Sequence, residues 1–276
     1  MLQKNLSINK LAFIVAIIFI ITSCQSGTNP SGTAQTAKDS LNKTEISKDV
    51  KDVIYPLPTP FEMTRMLKDI QASYVSGSLN PANKVEKYFT EKSKAVNLGV
   101  YGADLAYAAT YDQKQDVKVY SKALKSLIDQ LGINVDYSVM LSDQFKEKVN
   151  NKDTLTKIIT NTFYDTYKYL NEKSNPDLAI MMVAGMWVEA MYIATNISED
   201  TYHYSGLVQI IANQNESYAK LMKLLTSRNA DKDIKDLESK LEVLKPSFDK
   251  VKSGLMEKDY LLILNTIKTV RKSIVS

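Results

Sequence analysis

Two acidic residues stand where acids are costly. Asp104 interrupts the apolar run 95–111 (AVNLGVYGADLAYAATY), and Glu189 interrupts the run 178–195 (LAIMMVAGMWVEAMYIAT). A carboxylate taken out of water must be hydrogen-bonded or paired, and burial raises its pKa toward values useful for acid–base work. Should the two meet, they form a carboxylate pair of the kind that serves glycoside hydrolysis or holds a buried cation. Asp104 shares a helical stripe with Asn97, Tyr101, Ala108 and Tyr111, at steps of four, three, four and three. The plainer expectation is structural. Each carboxyl then accepts bonds from tyrosine hydroxyls or from a lysine on a neighbouring helix, because perturbed carboxyls also arise in structural networks. The same choice applies to Tyr101, Tyr107, Tyr111 and Tyr192. Tyrosines gathered between helices can stack a sugar or enclose a small ligand, but more commonly they fill half-buried space.

Other chemistry is thinly represented. His203 is the single histidine. Transition-metal sites need several His or Cys ligands and a triad needs a partnered His, so His203, beside Glu199, Asp200 and Tyr202, reads as a surface residue near a helix start. Cys24 is the single cysteine, which excludes an intrachain disulfide. The sequence contains no GxSxG, P-loop, GxGxxG, HExxH or EF-hand loop, so no cofactor and no metal are expected. Met181, Met182, Met186 and Met191 run through one apolar segment and read as core filling. Lys268, Arg271 and Lys272 read as a complement to the last helix's C-terminal dipole. Basic residues number 35 against 31 acidic and the two are interspersed, which argues against a nucleic-acid partner.

The address is written at the start of the chain. Lys4 and Lys10 precede the apolar run 11–21 (LAFIVAIIFII). Those residues span roughly 17 Å as a helix, against a hydrocarbon core of roughly 30 Å, so they read as the core of an export signal. Ile21-Thr22-Ser23-Cys24 follows. This order resembles the bacterial lipobox, an aliphatic residue and two small ones before the cysteine that receives diacylglycerol, with signal peptidase II cutting in front of it. The resemblance implies a signal peptide at 1–23 and a lipid anchor on Cys24, palmitate among its acyl chains, strong enough to need no second membrane signal. Neither an acidic run nor an aspartate follows the cysteine. By resemblance to sorting signals of Bacteroidota and enterobacteria, that implies the outer membrane, on its periplasmic face, with the cell surface as the alternative. Residues 24–55 are rich in Ser, Thr, Gly, Asn, Asp and Lys and read as a lipidated flexible tether, ending in Pro56-Leu57-Pro58-Thr59-Pro60. Asp39-Ser40-Leu41 and Asp153-Thr154-Leu155 resemble a three-residue O-glycosylation pattern, one short enough to occur by chance.

What must position the two acids is helical. Residues 56–276 read as one all-α domain, a bundle of about eight or nine helices. Thr59-Pro60-Phe61-Glu62, Asn80-Pro81 and Asn175-Pro176 pair a cap with a proline at the first helical position. Gly77, Gly132 and Gly254 stand where helices stop. Leu155, Ile158, Ile159, Thr162, Phe163, Tyr167 and Leu170 line one helical face. Ile234, Leu237, Leu241, Leu244, Phe248 and Val251 alternate steps of three and four, a seam expected to kink at Pro246 and to pack on a last helix at about 257–274. The two acid-bearing runs are apolar all round, which predicts burial on every side; Glu189 and Gly185 argue that 178–195 is a core helix rather than a membrane span. Shifted by 85 residues, DLAYAAT at 104–110 overlies EAMYIAT at 189–195, suggesting two pseudo-repeated helical units in which Asp104 and Glu189 face each other. Gly99, Gly102, Ala103 and Ala106 would permit close helix approach. The chain resembles the helical lipoproteins of Bacteroidota. That resemblance implies a membrane-anchored, non-catalytic module that binds or scaffolds an envelope protein or glycan. A paired-carboxylate enzyme acting on envelope glycans and a small-ligand-binding helical domain are the alternatives.

Overall fold

The computed structural model describes residues 60–135, 137, 152–173, 175–197, 205–251 and 254–276. All belong to one unit, Asn42–Ser276; the other, Met1–Leu41, lies outside the described residues, as do the leader, Cys24, the tether to Thr59 and His203. Among the described residues there are ten α-helices and no strand, so the chain is all-α as its periodicity predicts. They are α1 (Pro60–Asp69), α2 (Glu91–Thr110), α3 (Lys114–Gln130), α4 (Lys152–Lys173), α5 (Pro176–Thr195), α6 (Ser205–Ala212), α7 (Asn215–Ser227), α8 (Lys232–Glu242), α9 (Lys245–Asp249) and α10 (Glu257–Val275).

The local signals behave unevenly. Asn175 caps α5 as expected, its side chain accepting from the Asp177 amide at 2.9 Å with Pro176 in the first turn. Asn80-Pro81 does not start an α-helix. Pro81 leads into a 3-10 segment, Ala82–Lys87, and α2 begins at Glu91 behind a reciprocal cap between Thr90 and Ser93. Asn80 is instead buried, its side chain committed to Tyr88. Gly77 likewise lies inside a 3-10 turn, Ser76–Ser78, rather than closing a helix. Gly132 does stand just past α3, at φ +64°. Pro246 breaks its helix instead of kinking it: α8 ends at Glu242, and Pro246 sits in the first turn of the separate α9. A proline that cannot donate to the preceding turn is tolerated best at a fresh helix start. The seam survives the break, since Ile234, Leu237, Leu241, Leu244 and Phe248 are all buried and α8 packs on α10.

The centre of the fold is the crossing of α2 and α5, its most extensive helix contact. Every residue from Ala95 to Ala109, and every one from Leu178 to Thr195 except Tyr192, is buried. α5 is long and apolar enough to cross a membrane, and it is 94% enclosed by the rest of the protein. The two backbones nearly touch. A Cβ on Gly99 would lie 1.9 Å from the Met182 carbonyl oxygen, and one on Gly185 would lie 2.0 Å from that of Val96. Around this pair α1 lies across α2 and α5, α3 packs on α2, and α4 and α10 pack on α5. The two-unit repeat is not shown.

Candidate functional site

The crossing brings Asp104 of α2 and Glu189 of α5 together. Both are 0% exposed, and the two carboxyl groups lie within hydrogen-bonding contact. Their third member is Arg271 of α10. Its Nε donates to Glu189 Oε2 at 2.8 Å and its Nη2 donates to Glu189 Oε1 at 2.8 Å, a two-pronged ion pair that also places Nη2 3.1 Å from the Ser78 carbonyl. The guanidinium carbon stands 4.0 Å from the centre of the Tyr192 ring, a cation–π contact on its open face. The Asn80 amide donates to Asp104 Oδ2 at 3.2 Å, while Asp104 Oδ1 meets no donor among the described residues.

Charge counting then decides the chemistry. One guanidinium neutralises one carboxylate, and Glu189 holds it by two bonds. Asp104 is raised well above the ordinary carboxyl value, first by complete burial and then by the negative neighbour Glu189; Arg271 opposes this and is outweighed. Two carboxyls in contact need a proton between them. The protonated Asp104 supplies it, donating to Glu189 and accepting from Asn80. Burial works against the charge on Arg271, but the contact with Glu189 more than offsets it and the net direction is upward. The cluster is thus a buried network in which one guanidinium and one proton offset the two carboxyl charges.

That network leaves no place for a substrate. A glycosidase leaves its carboxyl pair open to a sugar and a water, whereas both of these carboxyls are sealed from solvent at 0% exposure. A cation would have to displace Arg271. Among the described residues there is no group of three or more His, Cys, Asp or Glu side chains able to hold a metal.

The tyrosine candidates resolve the same way. Tyr101 is buried and donates to the Pro81 carbonyl at 3.0 Å. Tyr107 accepts from the Val75 amide at 2.9 Å and donates to Ser73 O, and Tyr111 donates to Ala72 O at 2.9 Å. With Tyr74 stacked on Tyr107 at 4.8 Å between ring centres, these residues pin the segment after α1 to α2. Tyr192 is occupied by Arg271. Burial holds the Tyr101 and Tyr120 hydroxyls far above the usual phenol range, so both remain protonated.

Arg271 is the residue that the sequence reading misplaces. It does not serve a helix dipole; it reaches back into the core, with 13% of its side chain exposed. Two signals could have found it. It falls on the stripe of Ile263 and Ile267, both buried, and it is one of three arginines in a chain that otherwise uses lysine. A planar fork is what a two-pronged carboxylate contact requires. Comparison of the chain with protein-family models, with curated proteins and with solved structures finds no match to any of them.

Proposed function

We propose that this chain is a lipoprotein of the bacterial outer membrane, anchored through lipid on Cys24 and presenting its helical domain to the periplasm as a non-catalytic binding or scaffolding module. The observation that carries the anchor is Ile21-Thr22-Ser23-Cys24 directly behind an apolar leader too short to span a bilayer. The non-catalytic reading is supported by the acid pair, whose two carboxyls are spent on each other, on Arg271 and on the Asn80 amide. An envelope-glycan enzyme is the competing reading, and it requires that pair to open.

Metabolic labelling with a palmitate analogue tests the anchor. The wild-type chain should take up label and sediment with outer-membrane density, and Cys24→Ser should do neither. An unlabelled wild type, or a Cys24→Ser chain that stays on the membrane, overturns it. Glycan turnover that Glu189→Gln abolishes would favour the enzyme.

A further inference from the structure

The last helix, α10, is divided along its length. At about 100° per residue, the buried Tyr260, Ile263, Ile267 and Val270 fall on one side, and an arc of about 120° opposite them faces solvent. That arc holds Lys258, Leu261, Leu262, Lys268 and Lys272, with Asn265 and Thr269 between them. Its charges are of one sign. Asp259 is buried on the other side of the helix, and Glu257 stands just outside the arc. The neighbouring α8, by contrast, carries both signs and pairs them, Lys240 with Asp236 at 2.7 Å.

The same arc exposes apolar surface. Leu261 is 45% exposed and Leu262 36%, and Met256, just ahead of the helix, is 47% exposed. Two leucines set among lysines match an anionic bilayer surface, which takes apolar side chains into its headgroup boundary while long lysine stems carry their ammonium groups to the phosphates. From Lys258 to Lys272 the arc runs about 21 Å along one straight element, so the whole of it can meet a flat surface at once. A second copy of the chain is a poorer occupant, because a twofold contact would set this one-signed face against itself. We propose that this face of α10 docks on the anionic phospholipid surface to which the chain is anchored, Leu261 and Leu262 entering the headgroup region and Lys258, Lys268 and Lys272 meeting phosphates. This rests on the reading of Cys24 as a lipid anchor. Pro60 stands 36 residues beyond Cys24, at most about 130 Å even when fully extended. The anchor therefore keeps the surface at high local concentration, and a patch of modest affinity suffices.

The test takes the full mature chain with Cys24→Ser, so that the anchor itself contributes nothing, and measures its partition onto phosphatidylcholine vesicles with and without phosphatidylglycerol. Binding should require the anionic lipid and weaken as salt is raised. Replacing Lys258, Lys268 and Lys272 together by Gln should lower the partition by about two orders of magnitude, at about fivefold per lysine, whereas replacing all three by Arg should preserve it. Lys114, Lys118 and Lys122 form a matched exposed stripe on α3 without exposed leucines. Their replacement by Gln removes the same charge and should matter far less. Leu261→Gln with Leu262→Gln should weaken binding at unchanged charge. Because Cys24→Ser leaves the chain without cysteine, a polarity-sensitive dye can be placed by Leu262→Cys or by Lys118→Cys; anionic vesicles should shift the first to the blue and not the second. The proposal is overturned by absence of binding, by equal binding to neutral vesicles, by equal losses from the α3 and α10 lysine sets, by a dye on Leu262→Cys that stays put, or by a stable dimer that the two leucine substitutions dissociate. A Cys24 that takes up no palmitate would leave the vesicle result standing and remove only the anchor, while a labelled Cys24 with no vesicle binding would remove only the docking face.

Discussion

At the scale of residues, the acid pair is held by a proton as much as by Arg271. Asp104 binds its proton more tightly in the folded state than in the unfolded one, so the folded state holds more protons between the ordinary value of 3.8 and the elevated folded value. Stability from this group is therefore fully present in acid and falls as pH rises toward the elevated folded value. Asp104→Asn carries the donor permanently: its amide can donate to Glu189 while its carbonyl accepts from Asn80. We expect that variant to match the wild type below the ordinary carboxyl range and to gain on it steadily as pH rises, read from urea midpoints across a pH series. A gap that narrows with rising pH would refute the shared proton. Arg271→Ala is the opposite case. It strands the Glu189 charge in the core and should cost about 3 to 5 kcal/mol, the range for breaking one side of a buried ion pair.

Among the elements, the close crossing of α2 and α5 decides where those residues meet. Gly99 and Gly185 each face the other helix's backbone, which cannot move aside, whereas Gly102 faces the ring of Phe163, which can turn. Alanine substitutions should therefore rank by what the new Cβ meets. Gly99→Ala and Gly185→Ala should cost about 3 kcal/mol, the upper end of overpacking, and Gly102→Ala less. Gly77→Ala has open space around it and should be nearly silent. Equal midpoints for Gly99→Ala and Gly77→Ala in chemical unfolding would show that the helices do not approach as described. The same crossing explains why an apolar segment of membrane-spanning length is a core helix: its carbonyls and side chains are covered by α2, α4 and α10 rather than by lipid.

For the described unit as a whole, the chain's last turn is a keystone. Arg271 reaches Glu189 and Ser78, the Ile274 carbonyl accepts from Asn97 Nδ2 at 2.6 Å, and the Val275 carbonyl accepts from Lys84 at 3.0 Å. These contacts join residues between 82 and 193 positions apart, so closing the fold depends on residues 271–275. Removing residues 271–276 should cost more than Arg271→Ala alone. Against a total stability on the order of 5 to 15 kcal/mol, the loss should abolish a sharp thermal transition followed by circular dichroism. A truncated chain that still melts cooperatively near the wild-type temperature would sink this view.

How far the chain could be read without its fold follows from what each signal depends on. Helix class, the burial of 95–109 and of 178–195 except Tyr192, the cap at Asn175 and the stop at Gly132 rest on spacing and on neighbours within a turn, which the sequence carries directly. The meeting of Asp104 with Glu189 was suggested by the likeness of two segments, although the repeat itself is not shown. Arg271 was lost because a basic residue near a helix end has a sufficient local explanation, and nothing local reveals that α10 folds back on α5. Asn80-Pro81 misled for the same reason, since a cap pattern looks identical whether its side chain turns to its own helix or to Tyr88. The sequence by itself determined the helices, their apolar faces and the expected address at Cys24. Only the tertiary structure decided that the acids are sealed rather than exposed, because desolvation and charge pairing depend on which helices cross, and at what backbone distance.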